Sequence, residues 1–276
     1  MSSYEMHLHD THPDYDNLQH PTQHNIINIG RFTTTHKLNE KIVRKLPTDK
    51  SNPINVQALD IESRIYHHLG EHKHIARCLR CCEEYIDLRY EPYGDLQAFL
   101  RREGATGKVD DAFRYGVARQ TIEAVAFIHQ KNIIHSDLSA RQFLVDEKKN
   151  IRLSDFGGSS LHGSDAMVIE GPTHYMPRGE REPNSVQSDI FALGSTLYEI
   201  LVGKMPYEEK PDEDIRRLYS EKVFPLDQIG HEGWREAVRK CWMGEYKSAD
   251  YVLRDMSKHH HTLTKELSKV KHALEG

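Results

Sequence analysis

Two aspartates sit in short polar runs between apolar stretches. Asp137 lies in His135-Ser136-Asp137-Leu138-Ser139-Ala140-Arg141-Gln142-Phe143-Leu144. Asp155 lies in Leu153-Ser154-Asp155-Phe156-Gly157, eleven residues beyond Leu144. A carboxylate beside a hydroxyl can take up its proton, and a carboxylate with a neighbouring amide oxygen can hold a hard divalent cation. Each aspartate alone also reads as a helix cap or a turn residue. A second group of ligand types, His72, His74, Cys78, Cys81 and Cys82, carries a C-x-x-C spacing that suits zinc. Cys78 and Cys81 fall in or beside a strand-like stretch, so core and turn roles are the stronger reading. The 19 histidines include five in the first 24 residues and the run His259-His260-His261. Full protonation would carry the formal charge from −5 to +14. With an imidazole pKa of roughly 6.5, that change falls just below neutrality. Solvated tails are expected, with metal capture by the His-rich tracts as the second reading.

The elements that must position these residues divide the chain in two. Residues 1–24 are polar and aperiodic and are expected to be disordered. From Asn25, Ile26–Ile29, a threonine run and Lys41–Arg44 predict short strands. Ala58, Ile61, Ile65 and Leu69 recur at helical spacing within 56–69. Strand-like text returns at 76–79 and 85–90, and Pro92-Tyr93-Gly94-Asp95 breaks it. Beyond Leu96 the chain is mostly helical. Helices are predicted over 113–130, over the nearly all-apolar 188–202, over 215–219 and over 234–242. A basic helical tail is expected at 257–276. The expected fold is therefore α+β, with a small β-rich lobe at 25–92 and a larger α-helical lobe at 93–256.

HSDLSARQFL followed by LSDFG resembles the catalytic and metal-binding loops of protein kinases. IIHSDL after AFIHQKN, then SDIFALGSTLYEILVGKMPY, then KCW, follow in the family's order over roughly residues 25–256. The resemblance implies a two-lobed protein-kinase-like fold that uses ATP and Mg²⁺. It makes Asp137 the catalytic base and Asp155 a metal ligand, with Gln142 at the second metal position. Lys45 becomes the phosphate-binding lysine, with Lys41 as competitor, and Glu62 its partner. Gly30 belongs to the phosphate-covering loop. Tyr90 is expected as gatekeeper, Glu91 to Tyr93 along the adenine edge, Asp95 near the ribose and Leu144 beneath the adenine.

The sequence departs from the family pattern in several places. Gly30-Arg31-Phe32-Thr33-Thr34-Thr35 keeps one glycine of G-x-G-x-x-G, and bulky or β-branched residues oppose close backbone approach to phosphates. Gln142 replaces an asparagine, and its extra methylene displaces the amide oxygen. Ser136 replaces the arginine that reads a phosphorylated activation segment, although Ser159, Ser160, Ser164, Thr173 and Tyr175 all carry hydroxyls. Met176-Pro177-Arg178 stands where A-P-E is expected. Arg178 reverses a charge, and Glu245 or Asp250 is the expected partner of a swapped pair. Arg141 resembles the tyrosine-kinase loop, while Ser139 fills the position of the Ser/Thr-kinase lysine.

With 276 residues and 32.0 kDa the chain can bury a sizeable core. Its net charge of −5, with a pI near 6.4, argues against a nucleic-acid coat or a polybasic membrane binder. No apolar stretch is long enough for a membrane span, and no signal peptide opens the sequence. Four cysteines suggest a reducing intracellular setting, cytoplasmic or nuclear. The expectation is a monomeric, atypical ATP- and Mg²⁺-dependent protein kinase transferring the γ-phosphoryl group to a protein hydroxyl. The alternative is a pseudokinase serving as a scaffold, and a small-molecule kinase is third.

Overall fold

A computed structural model describes Tyr15 and residues 18–179 and 181–256. The basic tail expected at 257–276, its triple histidine, and His7, His9 and His12 lie outside the described residues.

The smaller lobe is an antiparallel five-stranded sheet in the order β1-β2-β3-β5-β4. Its strands are β1 (Ile26–Ile29), β2 (Thr33–Lys37), β3 (Ile42–Pro47), β4 (Cys78–Cys81) and β5 (Ile86–Arg89). Strand alternation sends Val43 and Lys45 to one face and Ile42 and Arg44 to the other. Val43 lies opposite Leu88 and Lys45 opposite Ile86. Helix α1 (Pro53–Leu69) packs on the Lys45 side and starts three residues earlier than the periodicity suggests. Asn52 accepts from Ile54 N at 2.9 Å, and Pro53 needs no hydrogen-bond partner at the first turn.

The opposite face buries Leu38, Ile42 and Leu79 under Tyr15 and Leu18. Against the expectation of disorder up to residue 24, Tyr15 and residues 18–24 are therefore placed. Gln19 N donates to Leu38 O at 2.9 Å, and His36 Nδ1 lies 3.0 Å from Thr22 O. Two apolar side chains three residues apart suffice to hold a segment whose mean composition is polar.

The larger lobe holds α2 (Leu96–Gly104), α3 (Asp111–Gln130), α4 (Val186–Val202), α5 (Asp212–Ser220) and α6 (Glu232–Trp242). Asp95, Asp110 and Ser185 cap the first three of these through their side chains. Helix α4 is central and almost wholly buried, as its composition predicts. Gly194 lets α6 approach: a Cβ there would lie 2.8 Å from Cys241 Cβ. Beside it Trp242 Nε1 donates to Ser195 Oγ at 3.0 Å. Two small antiparallel pairs complete the lobe, β6 (Ile133–Ile134) with β9 (Ser160–Leu161) and β7 (Phe143–Val145) with β8 (Ile151–Leu153). The lobes are stitched where Ala76 N donates to Leu153 O and Leu153 N to His74 O, at 2.8 and 2.9 Å. Among the described residues no helix is long and apolar enough to cross a membrane.

The His/Cys group of 72–82 is dispersed into this framework. His72 stacks on Phe127, His74 Nε2 lies 3.1 Å from Glu123, and Cys81 faces Ser63 of α1. Among the described residues no three His, Cys, Asp or Glu side chains converge as a metal cluster.

Candidate active site

Residues 135–137 leave β6 in a conformation that the sequence alone does not reveal. Ser136 has φ 71°, an uncommon value for a residue with a side chain. It is held by Asp189 in the first turn of α4. This fully buried carboxylate accepts from His135 N at 2.7 Å, Ser136 N at 2.9 Å and His129 Nε2 at 3.0 Å. Sequence reading missed Asp189 as a site residue. The available signal was a lone charge at the head of an otherwise apolar helix. His135 in turn lies 3.0 Å from Ser154 O through Nε2, linking the two loops.

Asp137 accepts from Gln142 Nε2 at 2.7 Å. Burial pushes the Asp137 carboxyl up to about 6, with His135 opposing the shift. The Gln142 amide thus meets the carboxylate through its nitrogen, which leaves its oxygen for other partners.

Lys45 Nζ joins two carboxylates from opposite sides of the cleft. It donates to Glu62 at 2.6 and 2.8 Å and to Asp155 at 2.9 Å. Burial alone would lower its pKa, but Asp155 and Glu62 outweigh burial and hold it above the ordinary lysine value. Burial pushes Glu62 up, opposed by Lys45, whereas Lys45 holds Asp155 below the usual carboxylate range. Asp155 has φ 68°, which Asp tolerates better than most residues. Phe156 is fully buried between Tyr66 of α1 and His135, each 5.4 Å away by ring centroid, and its N–H points at Glu62 Oε1. The competitor Lys41 is an exposed residue at the start of β3. Its backbone accepts from Tyr90 N at 2.7 Å.

One ammonium between two carboxylates leaves a net negative charge, and the Asp155 side chain is 52% exposed. That combination fits a divalent cation held by one carboxylate, an amide oxygen and phosphate oxygens rather than by an all-protein cage.

Tyr90 lies past the end of β5, with its ring 4.4 Å from Lys37 Nζ. The β5 residue buried opposite Val43 is Leu88, two residues before it. The Glu91 carboxylate faces Arg152. It is buried 3.2 Å from Arg152 Nε, and burial raises it to about 7, with Arg152 opposing. Asp95 Oδ1 accepts from Ala98 N at 2.9 Å as the α2 cap. Tyr93 N donates to Val145 O at 3.3 Å and its ring meets Phe99. Leu144 sits on β7 opposite Arg152.

Gly30 opens a tight turn, its N–H donating to Thr33 O at 2.8 Å, with Arg31 and Phe32 at the tip. Thr48 N donates to Phe32 O at 2.9 Å, so the hairpin closes on itself and on the end of β3.

The segment after Asp155 is self-bonded. A Cβ on Gly158 would lie 2.3 Å from Val168, which explains the glycine. Ser159 Oγ donates to His135 O, Ser160 Oγ to Ser164 O, and Thr173 Oγ1 bonds His174 Nδ1. Ser164 Oγ accepts from Leu161 N. Of the five hydroxyls in this stretch, those of Ser159, Ser160 and Thr173 are bonded and that of Ser164 accepts a bond. Arg178 pairs with Glu170 at 2.7 Å and not with Glu245 or Asp250. Glu245 is held by Arg239, and Asp250 accepts from Gln130. The pair closes locally, over eight residues, rather than on a distant carboxylate.

Comparison with known proteins agrees with this geometry. Residues 23–249, well over half of the chain, match the family described as protein tyrosine and serine/threonine kinase. The chain is similar to a mitogen-activated protein kinase kinase kinase, mkh1, of Cytospora mali: 30% identical over 177 residues, 59% of this chain and 9% of that protein. It is 29% identical over 145 residues to serine/threonine-protein kinase STY46 of Arabidopsis thaliana, covering 50% of this chain and 25% of the relative. It is 35% identical over 129 residues to the probable serine/threonine-protein kinase zyg-1 of Caenorhabditis elegans, covering 44% and 18%. The chain thus spans a quarter or less of the length of these relatives. With the matching loops in one cleft and the family pattern running through both lobes, the chain belongs to the protein tyrosine and serine/threonine kinase family.

Proposed function

We propose that this protein transfers the γ-phosphoryl group of ATP to a protein hydroxyl with Mg²⁺. The observation that carries this reading is the Lys45–Glu62–Asp155 cluster, joined across the cleft with Phe156 seated beneath α1. In this reading Asp137 takes up the acceptor's proton, Lys45 binds phosphate and Glu62 orients it. Asp155 and the Gln142 amide oxygen hold Mg²⁺. Bound Mg²⁺ supplies positive charge against the phosphate oxygens, where the protein alone leaves a negative excess. Gly30 belongs to the phosphate cover, and the backbone of Glu91 to Tyr93, with Asp95 and Leu144, bounds the nucleotide pocket. Two relatives named serine/threonine-protein kinases favour an aliphatic hydroxyl as acceptor. The expected setting is intracellular and the expected state monomeric.

An Asp137 carboxyl raised to about 6 must be ionised to accept a proton. The folded value lies above the ordinary 3.8, so the active form is lost as pH falls through about 6. Turnover is expected to level off above pH 7 and to drop about tenfold per pH unit below 5.5. A kcat–pH profile flat from pH 5 to 8 would remove Asp137 from this role.

A scaffold reading is favoured by the Arg31–Phe32 hairpin tip and by Gln142 being tied to Asp137. Gln142→Asn separates the two. In an impaired kinase it shortens the ligand to suit a second Mg²⁺, and activity rises on the order of tenfold, about 1.4 kcal/mol, most at high Mg²⁺. In a scaffold nothing changes. Initial rates of both proteins across a Mg²⁺ titration decide it, and a flat, inactive profile with no nucleotide binding establishes the scaffold.

A further inference from the structure

Arg178 is buried, its side chain 3% exposed, against the fully buried carboxylate of Glu170. The same Nη2 donates to Asn184 Oδ1 at 2.6 Å, and Asn184 Nδ2 donates to Val168 O at 2.9 Å. The guanidinium also lies over the Tyr175 ring at 4.6 Å. One cation therefore gathers residues 168, 170, 175 and 184, all between Asp155 and the first turn of α4. The middle of the stretch is fixed separately, where Tyr219 OH donates to Thr173 O at 2.9 Å. Glu170 Oε1 has no hydrogen-bond partner among the described residues, so the carboxylate's buried charge rests on Arg178. A planar guanidinium suits such multidentate work better than a lysine ammonium. A buried ion pair contributes little net stability against an apolar replacement, but losing one partner strands the other. The pair therefore selects one arrangement of the segment more than it strengthens the fold.

We propose that Glu170 and Arg178 are positioning residues for the protein substrate, ordering residues 168–178 by a charge pair already within the chain. No phosphoryl group is required for that order. The hydroxyls of Ser159, Ser160 and Thr173 are bonded, and Ser136 supplies no guanidinium beside Asp137. The proposal rests on the protein-kinase reading above, and its test distinguishes the two.

In the full chain, Glu170→Gln keeps the shape and removes the charge. Amide hydrogen exchange at 168–178, the Mg·ATP thermal shift and turnover of a degenerate Ser/Thr/Tyr peptide library are measured on the same preparation. Protection at 168–178 is expected to fall about tenfold or more, with the nucleotide shift unchanged. The apparent KM of the best library peptide is expected to rise about tenfold with kcat nearly kept. The swap Glu170→Arg with Arg178→Glu should recover protection, and phosphatase treatment of the wild type should leave it unaltered. Unchanged protection in Glu170→Gln, or wild-type protection lost to phosphatase, overturns the proposal. If Glu170→Gln does not fold, Arg178→Gln takes its place, and full protection there also overturns it. Wild-type protein that turns over no peptide, while Glu170→Gln still loses protection, supports the ordering pair and refutes the kinase reading.

Discussion

Asp155→Asn is expected to abolish metal-dependent nucleotide binding, while Asp137→Asn keeps binding and loses transfer. The two carboxylates sit in different environments. Asp155 is depressed by Lys45 at 2.9 Å and half exposed, so it stays ionised and reachable by a cation. Asp137 is raised by burial and tied to Gln142, a setting for a proton acceptor. Asparagine tolerates φ 68° nearly as well as aspartate, so the backbone at 155 should hold. What changes is charge. With Asp155 neutral, Lys45 and Glu62 balance each other and the excess that would attract Mg²⁺ is gone. A ligand at a hundred times its Kd stabilises a protein by about 2.7 kcal/mol, which a thermal shift reads easily. The wild type and Asp137→Asn should show that shift with Mg·ATP, and Asp155→Asn should show none. Phosphotransfer by Asp137→Asn should fall by about 10²- to 10⁴-fold. Equal nucleotide-induced shifts in wild type and Asp155→Asn would sink the metal assignment.

The parts of this site legible in sequence are those where chemistry and spacing coincide. Asp137 and Asp155 were legible through the order and spacing of loops that resemble the family's, and α4 through its apolar run. Lys45 was preferred to Lys41 through the resemblance, which sets Ile42 and Val43 at the family's apolar positions; strand alternation alone puts both lysines on one face. Residues whose work is to serve a backbone were not legible. Asp189 grips two amides across more than fifty residues of sequence, and its one local signal, a charge at the head of an apolar helix, does not say what it grips. The partners of Glu91 and Asp95 were equally hidden: Arg152 pairs with one carboxylate and the other caps α2. Tyr15 and Leu18 were hidden by the polarity of their neighbours, because averaging over a window erases two side chains that cover one small apolar patch.

Lys45→Met should damage this protein twice, and the two injuries can be separated. The first is loss of the cation that would meet phosphate. The second concerns Glu62, which is fully buried and bonded through both oxygens to Lys45. Stranding one partner of a buried pair costs about 3–5 kcal/mol. Methionine fills the space of the lysine stem but offers no donor. Glu62, already pushed up by burial, would rise further without its partner. A carboxyl raised in the folded state favours folding at low pH and loses that benefit as pH climbs through its folded value. The Lys45→Met defect in melting temperature should therefore shrink in acid and widen toward neutrality. Adding Glu62→Gln should restore stability and leave nucleotide binding absent. Lys41→Met, at an exposed position, should shift stability by less than about 0.5 kcal/mol and leave nucleotide binding intact. The decisive measurement is thermal unfolding of all four proteins at pH 5 and pH 7.5, with and without Mg·ATP. If Lys41→Met loses the nucleotide-induced shift while Lys45→Met keeps it, the phosphate-binding role belongs four residues earlier. If Lys45→Met loses the shift but melts like the wild type at both pH values, the buried pair is orienting a side chain without carrying stability.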